Sequence, residues 1–243
     1  MWSALALRNW AYSRLRLRPS LPSLSEFSPN TGESKLYRSI LEAAVSQEAR
    51  QSITGWIDVG CRNWSYLPGI LQGLPSLREA WGIELDPGRI YWNGFYRGDY
   101  AQAAAQHWSN EQRAIRFLPG DFSQLPLTDR IGGSLLNQRP SETLVTHFFP
   151  FVSEGPCRSW GLPTRYADFK PLIEQTCALQ RSLTRGSLRW LSLHQGEWEA
   201  EIARKQWQAA GFALQEGSLS PSDFQELWPG KHPLFWMTHR TEG

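Results

Sequence analysis

No stretch of the 243-residue sequence approaches the ~18 consecutive apolar residues that a bilayer-spanning helix needs, so no membrane span is expected. Nor is there an apolar signal-peptide core, because Arg8 interrupts the Leu-rich start. Cysteine is scarce: Cys61, Cys157 and Cys177 form no CxxC pair and cannot all pair with one another. A zinc knuckle, a disulfide framework and any other metal site are therefore not expected, and a reducing cytoplasm fits best. Acidic residues are missing from positions 1–25, which hold Arg8, Arg14, Arg16 and Arg18. Taking those four charges away turns the formal net charge of +2 into −2, so the remainder is slightly acidic. With 41% hydrophobic and 20% charged residues, the chain has the make-up of a folded protein, and its length suits about one domain with an appendage.

Thirteen tryptophans are many for this length. Packing in the core and on the surface is the default use of such large rings, each covering ~150–250 Å², with an aromatic-lined pocket as the alternative. The acid-free arm can touch phosphates or an acidic lipid surface, or resemble a transit peptide. The simpler expectation is that Trp2, Leu5, Trp10 and Tyr12 pack on the body and the arginines stay in water. Pro, Ser, Asn and Gly cluster from about Pro19 to Ser34 and read as a linker. The chain thus divides into a basic arm and linker, residues 1–33, and an α/β domain, residues 34–243. Thr31 or Ser34 can cap a helix running to about Gln51, with Leu36, Ile40, Leu41 and Ala44 along its buried face.

From residue 53 on, short apolar runs alternate with longer segments. Strands are expected at Ile53 to Val59, Ala80 to Leu85, Ala114 to Leu118, Thr143 to Phe149 and Leu188 to Leu193. The last helix runs from Gly196 to Ala210, with Trp198, Ile202, Trp207 and Ala210 near one face. Strands at about Ala213 to Gly217 and Pro233 to His239 suggest an antiparallel ending. The expected fold is a Rossmann-like, mainly parallel seven-stranded sheet with helices on both faces and a C-terminal antiparallel strand.

Ligands of open parallel sheets bind beyond the carboxyl ends of the strands, so the residues just after each strand matter most. Asp58-Val59-Gly60-Cys61-Arg62-Asn63-Trp64 follows the first, and Gly60 permits close approach to a ligand. Gly82-Ile83-Glu84-Leu85-Asp86 ends the second, placing Glu84 24 residues beyond Gly60, where a carboxylate can accept from both hydroxyls of a ribose. Gly120-Asp121-Phe122 follows the third: Asp121 can accept from an adenine amino group and Phe122 can cover the ring. His147 ends the fourth and His194 the fifth. A dehydrogenase is disfavoured, because no GxGxxG follows the first strand.

This ordered set resembles the class I S-adenosylmethionine-dependent methyltransferases. Ile57-Asp58-Val59-Gly60-Cys61 is similar to the start of their first motif, Gly82 to Asp86 to their second-strand acid, and Gly120-Asp121 through Leu125-Pro126-Leu127 to their third-strand motif. The resemblance covers roughly Ile53 to His239 and implies S-adenosylmethionine as cofactor. Asp58 and Gly60 would then face its methionine part, Glu84 with Asp86 nearby its ribose, and Asp121 with Phe122 its adenine. The family's Gly-x-Gly-x-Gly is replaced by Gly60-Cys61-Arg62-Asn63-Trp64. A left-handed backbone at Arg62 or Trp64 would cost ~1–2 kcal/mol, which argues against such a path at both positions. Trp64 is also too large for the close helix-to-strand contact of the third glycine. Two readings follow: Arg62 pairs with the cofactor carboxylate on a rerouted loop, or Arg62 and Trp64 fill the pocket and the cofactor is lost.

If the acceptor carries a proton at neutral pH a general base is needed, and His147 and His194 are the candidates. Aromatics cluster at Tyr91, Trp92, Phe95 and Tyr96, and again at Trp160 and Tyr166 in the stretch Ser153 to Lys170, whose length suits a lid or binding element. The expectation is methyl transfer to a small or medium-sized, partly apolar acceptor. The alternatives are a non-catalytic methyltransferase-like binding module and an RNA methyltransferase that uses the basic arm.

Overall fold

The computed structural model describes residues 3–15, 17–18, 20–23, 26, 30–126, 142–182, 186–220 and 232–241. Trp2, Arg16 and Leu127 lie outside these. Seven strands form one sheet: β1 (Ile53–Val59), β2 (Glu79–Glu84), β3 (Ala114–Pro119), β4 (Glu142–Phe148), β5 (Ser187–Gln195), β6 (Gln215–Leu219) and β7 (Leu234–Thr241). Their order is β3-β2-β1-β4-β5-β7-β6. Strands β1 to β5 are parallel, while β7 runs antiparallel to both β5 and β6. Strand order reverses between β1 and β4, which makes their carboxyl ends the natural ligand position.

The helices are α1 (Ala4–Arg14), α2 (Thr31–Ala44), α3 (Gln47–Ser52), α4 (Leu67–Gly73), α5 (Arg97–Trp108), α6 (Glu154–Ser159), α7 (Lys170–Ser182) and α8 (Glu197–Ala209). One core face joins β1, β2 and β4 to α2, α4 and α5. The other joins the sheet to α7 and α8, where Trp190 and Trp207 stack at 3.7 Å between ring centroids. Two rings of this size exclude on the order of 300 Å² of apolar surface from water.

Local chemistry explains where the structure departs from the sequence pattern. The first long helix is capped by Asn30, which accepts from the Glu33 amide, and not by Thr31 or Ser34. It also stops at an extended Val45, because the Ser46 side chain accepts from the Ala49 amide and starts α3 as a separate turn. In α8 the buried stripe is Ala200, Ala203 and Trp207, and Trp198 is 65% exposed. Two alanines let the helix axis approach the sheet, and that fixes the rotation.

Helix α1 docks through its 5, 8, 9 and 12 positions. Leu5 is buried against Cys157 and Leu162. Asn9 donates to the Leu85 carbonyl at 3.1 Å, and Tyr12 packs edge-on against Tyr96. Gly88 and Gly98 make the contact possible, since a Cβ at either would lie within 3 Å of α1 backbone or the Tyr12 ring. Arg8 is not left in water: it holds Asp86 through two hydrogen bonds, 3.0 and 2.8 Å. Trp10 remains 42% exposed.

Candidate functional site at the carboxyl rim of the sheet

The turns after β1, β2 and β3 are tied directly to one another. The Gly60 and Cys61 amides both donate to the Ile83 carbonyl, at 2.8 and 3.1 Å, and the Gly120 amide donates to the Glu84 carbonyl at 2.9 Å. Gly60, Glu84 and Asp121 are thus neighbours at one rim. Gly60 has φ +81° and open space where a side chain would begin.

The loop keeps a left-handed backbone at both non-glycine positions, φ 55° at Arg62 and 58° at Trp64, contrary to the expectation from steric cost. Specific contacts offset the ~1–2 kcal/mol of strain at each. The Arg62 amide donates to Glu84 Oε2 at 2.8 Å, and its guanidinium pairs with Glu33 Oε1 of α2 at 2.7 Å. Glu33 also accepts from the Ser65 hydroxyl. Arg62 is therefore directed at α2. The Trp64 indole turns down into the core beside Trp56 and donates to Asp58 Oδ2 at 2.8 Å. Its ring lies on Gly82, where a Cβ would stand only 2.6 Å from Cζ2. The glycine that the third loop position lacks is supplied by β2, so the large ring does not force helix and strand apart. Phe149, just after β4, is also left-handed, φ 54°. All three non-glycine residues of positive φ among those described thus lie at the carboxyl ends of β1 and β4.

Asp58 is wholly buried. Oδ2 accepts from Trp64 and, at 2.6 Å, from the Tyr66 hydroxyl; Oδ1 accepts from Thr146 at 2.7 Å. Burial pushes its carboxyl up to about 6 despite these three donors. Asp58 therefore pins the loop to β4 from beneath. Glu84, 3% exposed, receives the Asp86 amide at 2.8 Å and Arg97 Nη1 at 3.0 Å on Oε1, and only the Arg62 amide on Oε2. The guanidiniums of Arg89 and Arg97 cover the Trp160 ring at 4.7 and 5.1 Å, while the Trp160 carbonyl accepts from Arg8. Asn63 Oδ1, Arg89 Nη1 and Arg97 Nε are buried without a hydrogen-bond partner around this rim. Asp121 is partly exposed and caps the short turn Phe122–Gln124 by accepting from Ser123 on Oδ1.

The rings and imidazoles are placed differently from the sequence expectation. Phe122 is buried edge-on against His147, in the core cluster that includes α7 and α8. His147 and His194 are fully buried, and their Nε2 atoms meet the Thr176 and Ser192 hydroxyls at 3.2 and 2.7 Å. Burial lowers both to about 3. Neither ring reaches solvent, so neither is positioned as a base for an acceptor arriving from water. Their effect is on stability. Ordinary imidazole in the unfolded chain takes up its proton near 6.5, so the unfolded state binds protons first and stability falls as pH drops from 6.5 toward 3. Asp58 acts oppositely between about 6 and 3.8. Urea unfolding of His147→Leu is expected to show a shallower loss below pH 6.5 than the parent, by up to about 1.4 kcal/mol per pH unit. Equal slopes would overturn this account.

Phe95 and Tyr96 belong to the core, whereas Trp92 is 98% exposed. Trp160 and Tyr166 pack with Leu5 and Leu85 at the rim. Sequence reasoning overlooked Arg97 and Glu33, which carry no signal beyond an ordinary helical charge.

The fold is similar to those of solved methyltransferase structures. The human methyltransferase 10 domain containing protein matches with a TM-score of 0.52 and 12% identity, over 97% of this chain and 93% of that one. The METTL16 MTase domain matches with a TM-score of 0.51 and 11% identity, over 97% of this chain and 78% of that one. The chain has the class I methyltransferase fold. At these identities the likeness is one of fold. No protein-family model and no curated protein sequence matches. Within this fold, the rim built from Gly60, Glu84 and Asp121 lies beside the point where strand order reverses.

Proposed function

We propose that this chain binds S-adenosylmethionine at the rim and transfers its methyl group to a small or medium-sized, partly apolar acceptor. The observation that carries the reading is the gathering of all described left-handed, non-glycine residues at the carboxyl ends of β1 and β4. Strain held at a strand-order reversal is expected where a site is preorganised. The residues present fit the group. Gly60 leaves open space for close approach, Glu84 Oε2 has accepting capacity left for a ribose hydroxyl, and Asp121 can accept from the adenine amino group. Asn63 Oδ1 and Arg97 Nε are a buried acceptor and donor short of partners, which a hydroxyl- and amine-bearing ligand would satisfy. Arg62 and Asp86 support the site from behind through Glu33 and Arg8 and do not hold the ligand directly.

When bound, the sulfonium group supplies an already activated methyl. The protein's task is alignment and exclusion of water, which α1 and Trp160 suit by covering the rim beside Glu84. With His147 and His194 sealed in the core, the acceptor is one that offers a free lone pair or loses its proton to water.

A non-catalytic binding module is the second reading. It is favoured by the saturation of Asp58 and by the occupation of Asp86 by Arg8. Calorimetric titration with S-adenosylhomocysteine separates the two. Saturable one-to-one binding, with a rise in melting temperature through ligand linkage, is expected. Absence of heat and of any shift would leave the binding module.

A further inference from the structure

Seven large hydrophobic residues are exposed among those described, and six of them lie in two adjoining segments: Leu7, Trp10, Leu15 and Leu17 at the amino terminus, and Ile90 and Trp92 between β2 and α5. The segments are in direct contact. The α1 backbone at Arg8 packs on Gly88, and Arg18 donates to the Asn93 carbonyl at 3.2 and 3.0 Å beside the Trp92 turn. Because α1 docks through positions 5, 8, 9 and 12, its positions 7, 10, 11 and 14 form the opposite face: Leu7, Trp10, Ala11 and Arg14. Leu7 and Trp10 keep this second face apolar and exposed, at 55% and 42%, although the docking contacts of α1 lie on the other.

We propose that this face docks on an anionic lipid surface. Charge complementarity chooses the partner. No acid occurs in the first 25 residues; Arg8 is neutralised by Asp86, while Arg14 and Arg18 stay exposed and have no carboxylate within hydrogen-bond distance among the described residues. Arg14 and Arg18 would meet lipid phosphates while Leu and Ile enter the acyl boundary and the Trp rings sit at headgroup level. Single-stranded nucleic acid would use Trp92 and the arginines too, but it has no task for four exposed aliphatic side chains. The inference stands whichever reading of the rim holds. It brings the rim next to a source of apolar acceptors, since the same helix holds Asp86 two residues from Glu84.

The test is co-sedimentation of the full chain with vesicles of phosphatidylcholine alone and of phosphatidylcholine mixed with phosphatidylglycerol, beside retention of a fluorescent oligothymidylate. Binding is expected to the mixed vesicles only. It should fall at least about a hundredfold in Trp92→Ala combined with Leu7→Ser, because a fully exposed ring and a leucine each contribute about a factor of ten or more on transfer from water. Arg14→Glu should also weaken it, and Arg14→Lys should not. These residues support no core contact, so the variants should melt like the parent. No sedimentation with the mixed vesicles, unchanged binding of the double variant, or retention of the oligonucleotide without vesicle binding would each overturn the proposal.

Discussion

Asp58→Ala is expected to destabilise the fold by on the order of 4 kcal/mol, read from denaturant midpoints at neutral pH. The substitution removes the acceptor of the Trp64 indole and of the Tyr66 hydroxyl, and one acceptor of Thr146, all inside the core. A buried donor left without a partner costs about 1–3 kcal/mol, and two such donors, with Thr146 left only the longer contact to the Ile57 carbonyl, outweigh the relief of a desolvated carboxylate. Asp58→Asn gives a contrasting result. Its oxygen can accept from Trp64 and Tyr66, while its amide donates to the Thr146 oxygen and the Thr146 hydroxyl turns to the Ile57 carbonyl. A cost of roughly 1 kcal/mol is expected for it. It should also remove the part of the pH dependence that comes from a carboxyl raised to about 6, whose charged form is disfavoured by folding and whose stability contribution declines as pH rises through that value. Equal losses for the two variants would show that the donors are not committed to Asp58.

Glu84→Ala is expected to cost about 3–5 kcal/mol, because it leaves Arg97 an unpaired charge only 5% exposed and frees the Arg62 and Asp86 amides. A protein that melts early tells nothing of ligand binding, so the informative partner is Glu84→Gln. The amide keeps an acceptor of the same shape, and cooperative unfolding should survive. Under the methyltransferase reading its affinity for S-adenosylhomocysteine should drop at least about tenfold, since charge-assisted hydrogen bonds to the ribose become neutral ones. Undiminished affinity in a well-folded Glu84→Gln would remove Glu84 from the ribose site and leave it a purely structural anchor of the β1 loop.

The strands were readable because each is a short apolar run between turn residues, and β1 follows its expected limits from Ile53 to Val59. Helix ends were less so. Asn30 and Ser46 cap through side-chain oxygens, and several neighbouring Thr and Ser residues offer the same chemistry. Gly60, Glu84 and Asp121 could be named in advance because they occupy equivalent places after successive parallel strands. The path of the loop could not. A left-handed Arg62 or Trp64 is unfavourable locally, and the Glu84 carboxylate, Glu33 and the bare surface of Gly82 that compensate lie 22 residues ahead, 29 behind and 18 ahead. His147 and His194 failed as candidate bases for a similar reason. Strand-end position says nothing of depth, and Phe122, Phe169 and Trp207 cover His147 from elements distant in the chain.

Sequence alone therefore determined the order of the seven strands, the parallel sheet with its antiparallel ending, and which three turns meet at the rim. These follow from periodicity and turn chemistry, which act over a few residues. Tertiary structure decided the partners of the buried carboxylates at the rim: Arg97 for Glu84, Arg8 for Asp86, and three neutral donors for Asp58. Removing a charge from water is costly enough to require a partner, yet any of several distant residues can provide one, and only the folded packing selects among them.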